Sequence, residues 1–393
     1  MALNSYQAEL EALLTEPISL AKERARTAFD QEVRSYGQKF VLFGAGNMGR
    51  QVLTSLRQNG IEPLAFADNS RNKWGKTFNG LRVLSPEDAA TLYGRESAFI
   101  VTVYNHLHSF PDTQRQLLTL GCAKVVSVIP FRWKYHETFL PYFRDDLPYK
   151  VLEQADEIQE ALYLYSDEES RREYVAQVHW RLHGDFDVLS APSTKQQYFP
   201  EGELFRLVSN EFFVDAGAYD GDTISLFLAL RGSNFARILA LEPDPANFKK
   251  LTVNISRLPS EIQEKIEARN VAVGATPGQL RFADGKGVAS SLSQSGPIEV
   301  VCSRLDDLLQ DSHPTYIKLD VEGAELGAIQ GTQRIISENQ PVIAACVYHA
   351  QDHLWKIPAA INRVHPKYNL FLRSYMTECW ETVCYAVPSK RVM

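Results

Sequence analysis

"NEFFVDAGAYDGDTISLFLAL", residues 210–230, reads as a buried strand, a glycine turn and a helix. The apolar run Phe212-Phe213-Val214 is strand-length and bounded by turn residues. The strand closes on Asp215-Ala216-Gly217, and a second glycine, Gly221, stands before the helix. Glycines at the carboxyl end of a first strand let the backbone approach a ligand closely. In open α/β sheets that edge is where ligands bind. The spacing is DxGxxxG through Tyr219, not GxGxxG. It suits a ligand without a pyrophosphate, whose amino-acid end lies against the turn.

Working outward, β/α alternation predicts strands at 211–215, 237–241, 268–273, 315–320, 341–347, 368–373 and 382–387. The last two are joined through "SYMTECWE" without a clear helix, which predicts a terminal antiparallel hairpin on a parallel sheet. The second strand ends in "LALEPDP", with Glu242 at its tip, where a carboxylate can accept both hydroxyls of a ribose. Asp222 and Thr223 open the helix, either to cap it or to meet a ligand's ammonium group.

A second glycine turn lies upstream. "KFVLFGAGNMGRQVLTSL", residues 39–56, carries a full GxGxxG at Gly44, Gly46 and Gly49, and Asp68 closes the following strand. That is the pattern of a nucleotide site, with an anion at the helix N-terminus and a carboxylate on a ribose. Strands are expected at 39–43, 63–68, 98–103 and 123–129, with helices near 48–59, 86–93 and 111–120. Residues 1–36 read as helices split at Pro17, 37–130 as a Rossmann-like domain, 131–197 as a helical connection, and 198–393 as the larger sheet domain. Within the connection, "SDEES" offers a cap at Ser166. His106 and His108 in "YNHLH" read as loop histidines.

Hydrophobic residues make up 45% and charged residues 23% of the 393 residues, an ordinary globular balance with material for more than one core. Net charge is −7 and no Lys/Arg run occurs, which argues against nucleic acid as a partner. The start has no basic segment followed by an apolar one, and no apolar stretch has spanning length, so neither a signal peptide nor a membrane span is expected. The five cysteines are scattered and form no CxxC, as expected of a chain in a reducing cytoplasm.

For chemistry, Lys318, Asp320 and Glu322 are spaced by two and would share one face of an extended backbone at the fourth strand's end. Lys318 and Asp320 could equally be an internal ion pair. His349 follows the fifth strand on the same edge, where an imidazole can take a proton near neutral pH. His353 lies one helical turn on, a weak metal signal without a third ligand. Arg373 and Tyr375 stand near the sixth strand's end, as acceptor contacts.

Together these features resemble the S-adenosylmethionine-dependent methyltransferases of the seven-strand type. "YIKLDVEGAELGAIQG" (316–331), "YFPEGELFRL" (198–207), "VYHAQDHLWKIP" and "FLRSYMTECWETVCYAV" resemble the FkbM methyltransferase family over about residues 198–387. The resemblance implies two Rossmann-like three-layer α/β domains, the C-terminal one a seven-stranded class I methyltransferase sheet with an antiparallel last strand. It implies an enzyme moving a methyl group from S-adenosylmethionine to a hydroxyl, on a sugar, a glycoconjugate or a polyketide-like acceptor. Asp215, Gly217, Tyr219, Gly221, Asp222, Thr223 and Glu242 would hold the cofactor. Asp320, His349, Lys318 and Glu322 would serve catalysis, with a divalent metal possible but not indicated. The N-terminal segment is similar to nucleotide-binding-type domains attached to sugar-modifying enzymes. The reading from another class is an NAD(P)-dependent oxidoreductase or epimerase, or a nucleotide-sugar-binding protein, using Gly44–Gly49. It has only one turn and one carboxylate, and no Tyr-x-x-x-Lys follows. The acceptor and the oligomeric state, homo-oligomer included, stay open.

Overall fold

The computed structural model describes residues 2–282 and 298–393. Helices Ala2–Leu14 and Ile18–Val33 flank Pro17, whose extended backbone separates them. The second helix buries Ala21, Ala25, Phe29 and Val33, one residue per turn on one face.

The N-terminal sheet contains β1 (Phe40–Phe43), β2 (Ala65–Ala67), β3 (Thr77–Phe78), β4 (Leu81–Leu84), β5 (Ala98–Val101) and β6 (Lys124–Ser127), in the order β3-β4-β2-β1-β5-β6. All pairings are parallel except β3 with β4. Two expectations are corrected here. The β3–β4 hairpin was not predicted, although Asn79 and Gly80, both at positive φ (+48° and +87°), form the kind of Asn-Gly turn that joins such hairpins. The strand expected over 123–129 stops at Ser127, whose hydroxyl accepts a hydrogen bond from Ile129 N and opens helix Val128–Lys134. The connecting segment is helical up to Glu168–His183, but that helix is capped by Asp167, not Ser166, because the Asp167 carboxylate accepts from Ser170 N. Ser166 instead accepts from Leu370 N through its hydroxyl.

The larger sheet contains β7 (Phe212–Ala216), β8 (Arg237–Leu241), β9 (Ile266–Arg269), β13 (Tyr316–Leu319), β14 (Val342–Cys346), β15 (Tyr368–Ser374) and β16 (Thr382–Pro388). Its order is β15-β16-β14-β13-β7-β8-β9, with β16 antiparallel to both neighbours and the other pairs parallel. The seven strands and the terminal hairpin are as the sequence predicts. The strand expected at 268–273 is broken after Arg269. Its second part, β10 (Ala272–Val273), pairs with β12 (Ile298–Ser303), which also pairs with β11 (Gly278–Phe282) in a separate small sheet.

Phe199, Phe213, Phe227 and Tyr316 pack ring against ring, with centroids 5.1–5.5 Å apart. These buried rings tie the lead-in of residues 198–207 to β7 and β13, each worth about 1.5–3 kcal/mol of burial. The two sheets meet at the β15–β16 turn. Glu378 accepts from Phe110 N at the start of helix Phe110–Thr119, and the Thr377 hydroxyl donates to His108 O at 3.0 Å.

Candidate active site

The turn after β7 explains its two glycines. Gly217 has φ +83°, and a Cβ there would lie 1.8 Å from the carbonyl oxygen of Asp320. Only glycine lets the ends of β7 and β13 come this close. Gly221, φ +93°, is the left-handed residue from which helix Asp222–Arg231 starts. Gly217 N and Ala218 N both donate to Leu241 O, at 2.9 and 3.0 Å, which pins the turn to β8.

Glu242 braces this arrangement. It is 6% exposed, and its oxygens accept from Tyr219 N at 2.8 Å and Asp244 N at 2.9 Å. Burial pushes its carboxyl up to about 7, against the pull of those two N–H groups. A cavity of about 390 Å³ opens here, over the carboxyl ends of β7, β8, β13 and β14. Of the predicted residues, Gly217, Tyr219, Asp222, Thr223, Glu242, Lys318, Asp320 and Glu322 line it. Asp215, Gly221 and His349 do not line it. Asp215 lies below the floor, fully buried, and Gly221 serves the helix start.

Lys318 stands opposite Asp215 in the β13–β7 register, and its Nζ donates to Asp215 Oδ1 (3.0 Å) and Gly217 O (2.7 Å). Its distance to Asp320 Oδ2 is 3.8 Å, so Asp215 is the closer partner. Burial opposes the charge on Lys318, but Asp215 and Asp320 outweigh it and hold the ammonium pKa above its ordinary value. Burial pushes Asp215 up to about 6 despite Lys318. A lysine held protonated in this way positions the strand ends and cannot remove a proton.

Asp320 Oδ2 accepts from the Tyr198 hydroxyl at 2.9 Å, and its Oδ1 lies 3.5 Å from His349 Nε2. Glu322 sits in the turn at φ +53°, and burial pushes it up to about 8. His349 Nδ1 donates to Glu325 Oε1 at 2.7 Å, and the same oxygen accepts from Val321 N at 2.9 Å. His353 Nδ1 lies 3.2 Å from the other Glu325 oxygen. Burial works against a charged His349, yet Glu325, Asp320 and Glu322 prevail and push it up to about 10. The free imidazole therefore already carries a proton near neutral pH, which corrects the expectation of a base ready to accept one there. Ligand atoms of Asp320, Glu325 and His349 fall within 4.8 Å of one another.

Several wall residues were missed by the sequence reading. Gln197, Tyr198, Tyr348, Met376 and Glu381 line the side facing Asp320, and the Tyr348 hydroxyl donates to Glu381 Oε1 at 3.0 Å. His106, read as a plain loop histidine, reaches the cavity from the loop after β5. The quoted motifs carried a signal for most of them: "YFPEGELFRL" includes Tyr198, "VYHAQDHLWKIP" includes Tyr348, and "FLRSYMTECWETVCYAV" includes Met376 and Glu381. Conversely, Arg373 is buried against Asp167 and Glu203, and Tyr375 bonds Tyr385 through its hydroxyl, so neither lines the cavity.

At the N-terminal turn, Gly44 has φ +116° and a Cβ on Gly49 would lie 2.1 Å from Gly44 O, so both glycines serve the tight packing of the turn. Gly46 faces open space. Asp68 is already engaged: Oδ2 accepts from Ala45 N and Lys73 Nζ, both at 2.8 Å, and Oδ1 from Ser70 N at 2.8 Å.

A glycine turn, a carboxylate on the next strand and a cavity over a 3-2-1-4-5-7-6 sheet define a class I methyltransferase fold. Residues 215–380 match the methyltransferase FkbM domain model, and the chain is a methyltransferase. Residues 36–108 match a model described as C2185-like, N-terminal. A crystal structure of methyltransferase FkbM from Methylobacillus flagellatus KT is similar in fold over 98% of this chain and 99% of that one, at 22% identity and a TM-score of 0.76. Weaker likenesses include a putative rRNA-methylase from Clostridium thermocellum (11% identity, 47% of this chain, 89% of that one, TM-score 0.32). Another is UDP-D-quinovosamine 4-dehydrogenase from Vibrio fischeri (24% identity, 23% of this chain, 75% of that one, TM-score 0.20). No curated protein matches the chain. Among the described residues, no helix is long and apolar enough to cross a membrane.

Proposed function

We propose that the protein transfers the methyl group of S-adenosylmethionine to a hydroxyl oxygen of a small polyhydroxylated, saccharide-type acceptor. The observation that carries this reading is the two-sided cavity. Gly217, Tyr219 and Glu242 form one side, and Asp320, Glu322, Tyr348 and Glu381 face them across it. On the first side Glu242 accepts the ribose hydroxyls, and Asp222, exposed at the helix start, faces the amino-acid end. On the second side a hydroxyl placed against Asp320 meets the sulfonium methyl in line. The carbon–sulfur bond breaks with its electron pair staying on sulfur, the carbon–oxygen bond forms, and the hydroxyl proton goes to Asp320. The protein contributes position and electrostatics to a reaction whose reactive carbon belongs to the cofactor.

The residues before 198 add His106 to the acceptor wall. No separate nucleotide site is proposed at Gly44–Gly49, because Asp68 is ion-paired with Lys73 at 2.8 Å and, unlike Glu242, does not line the cavity. The test is calorimetry of the full chain with S-adenosylmethionine, alongside methyl transfer from labelled cofactor to a panel of glycosides. One cofactor per chain, together with label in an ether-linked methyl, is the expected result. Absence of cofactor binding by the folded protein refutes the reading.

A further inference from the structure

We infer that Glu381, clamped by Gln197 and Tyr348, is a specificity-determining residue: it receives a second hydroxyl of the acceptor beside the one that Asp320 receives, so the protein selects a diol over a lone alcohol. This deepens the methyltransferase reading and rests on it. The argument starts from where Glu381 stands. It closes the turn between β15 and β16 and lines the cavity with Asp320. Among the described residues no cation pairs with it, whereas Asp215, Glu325 and Glu211 are held by Lys318, His349 and Arg391. Burial pushes its carboxyl above the ordinary range, and the Asp320 charge adds to that against the pull of Gln197 and Tyr348. A half-buried carboxyl without a counter-charge, near enough to a second carboxylate to feel it, does not stabilise a fold.

The backbone points the same way. Glu378, Cys379 and Glu381 have φ of +59°, +61° and +54°, left-handed conformations that side chains other than glycine seldom adopt. Such strain persists only where the surroundings enforce it, and it clusters at ligand sites. Here the Thr382 hydroxyl donates to Cys379 O at 2.9 Å, Tyr375 N donates to Glu381 O at 3.3 Å, and Trp380 is buried between the strained residues. The turn therefore holds the Glu381 side chain at the cavity in one place.

Its hydrogen bonds define what it can receive. Gln197 Nε2 donates to Glu381 Oε2 at 2.8 Å, and the Tyr348 hydroxyl donates to Oε1 at 3.0 Å. Both donors line the cavity too. The clamp fixes the carboxylate and leaves each oxygen a second acceptor direction, while the Gln197 amide keeps its second N–H. An acceptor and a donor thus stand side by side, which matches a hydroxyl. An ammonium only donates, and it would bring a second positive charge towards the sulfonium. Two hydroxyls held at Asp320 and Glu381 fix the orientation of the acceptor, so that the reacting oxygen stays in line with the methyl group. A lone alcohol at Asp320 is free to turn, and it leaves the Glu381–Gln197 pair unmatched.

The test uses the full chain, labelled S-adenosylmethionine and defined probes: methyl hexopyranosides beside their monodeoxy analogues, and vicinal cyclohexanediol beside cyclohexanol and aminocyclohexanol. For the wild type, kcat/KM should be about thirtyfold or more higher for the diol than for cyclohexanol, and removal of one unmethylated hydroxyl from a glycoside should cost a similar factor. Glu381→Leu should shrink both ratios to about threefold or less, and Gln197→Leu should reduce them. Calorimetry on each variant should show that S-adenosylmethionine still binds. Wild-type protein that treats diol and lone alcohol alike overturns the inference without any variant. So does a preference for aminocyclohexanol, or absence of transfer to every diol probe by protein that binds the cofactor. A Glu381→Leu protein that slows all acceptors equally, with the ratios intact, marks a structural role and also overturns it. Each of these outcomes sinks this inference alone, whereas loss of cofactor binding by the folded wild type sinks the methyltransferase site reading.

Discussion

Cofactor affinity should depend on pH through Glu242. Burial raises this carboxyl to about 7, so the free site holds a proton in acid that an ordinary glutamate has already lost. Ribose hydroxyls donate to the ionised form, so the cofactor selects it and binding releases the proton. If the bound carboxylate titrates in the ordinary range, the ionised fraction of free protein sets the slope. That fraction is about 0.03 at pH 5.5 and about 0.5 at pH 7, so affinity should rise by about fifteenfold between them. The window stops at pH 7 because the ligand's own α-amino group titrates near ~7.7–8.0. Calorimetry at pH 6 in buffers of different ionisation enthalpy should register close to one proton released per cofactor bound. Glu242→Gln should abolish both the slope and the proton release and weaken binding by about 1.5–3 kcal/mol at pH 7. The same group predicts a stability effect of definite sign. A carboxyl raised on folding makes the folded state the better proton binder between about pH 4.5 and 7. Its contribution to stability therefore falls as pH rises through that interval, by on the order of 3 kcal/mol, and Glu242→Gln should remove that loss. A folded Glu242→Gln protein with wild-type affinity and an unchanged pH slope would refute the assignment of Glu242 to the ribose.

Gly217→Ala should lower thermal stability by several degrees at least and abolish cofactor binding, because the added Cβ meets the Asp320 carbonyl at 1.8 Å and the backbone is left-handed; a wild-type melting curve would contradict the close approach of β7 and β13. His349→Asn should keep cofactor affinity while turnover falls about a hundredfold or more, because it removes the positive imidazolium that faces Asp320 and Glu322; normal turnover would leave catalysis to Asp320 and positioning. Glu378→Ala should destabilise the full chain by about 1–3 kcal/mol in denaturant titration, since it leaves Phe110 N without its buried acceptor where the two sheets meet.

What the sequence revealed follows from where the constraints are local. Strand runs, the DxGxxxG turn and Glu242 are decided by neighbours in the chain, and Gly217, Tyr219, Asp222, Thr223 and Glu242 line the cavity as a group. The break of the 268–273 strand was hidden because Val271, Ala272 and Val273 are apolar in either partnership, and only β12, far along the chain, decides which sheet takes them. The ion pair of Lys318 with Asp320 is present at 3.8 Å, but the nearer partner, Asp215 at 3.0 Å, was missed for the same kind of reason. Spacing by two suggested Asp320, but the parallel register sets Asp215 of β7 directly opposite. His106 could not be assigned from its own surroundings at all, since its reach into the cavity depends on how helix Phe110–Thr119 docks on the β15–β16 turn.

That docking also bears on the choice of acceptor. Tyr104 from the N-terminal segment and Trp380 from the hairpin pack at a tilt with ring centroids 5.6 Å apart, and the fully buried Arg144 guanidinium lies 3.8 Å from the Trp380 ring centroid. Phe143, two residues after a cis proline, contacts both Trp380 (5.1 Å) and His349 (6.0 Å). The connecting segment therefore reaches the back of the imidazole, while the N-terminal segment supplies one wall of the cavity. The positive charge of Arg144 is spent on aromatic faces behind the wall. On the cavity side stand Asp222, Glu242, Asp244, Asp320, Glu322 and Glu381. A phosphorylated or carboxylated acceptor would enter against these acidic groups, and among the described residues no free lysine or arginine on the wall receives it. An uncharged polyol meets no such repulsion and finds acceptors for its hydroxyls. The sulfonium of the cofactor is attracted by the same charges, and its conversion to a neutral thioether on methyl transfer weakens the hold on the product. The arrangement thus favours a cationic donor with an uncharged acceptor, and it assigns selection of the acceptor to residues from both halves of the chain.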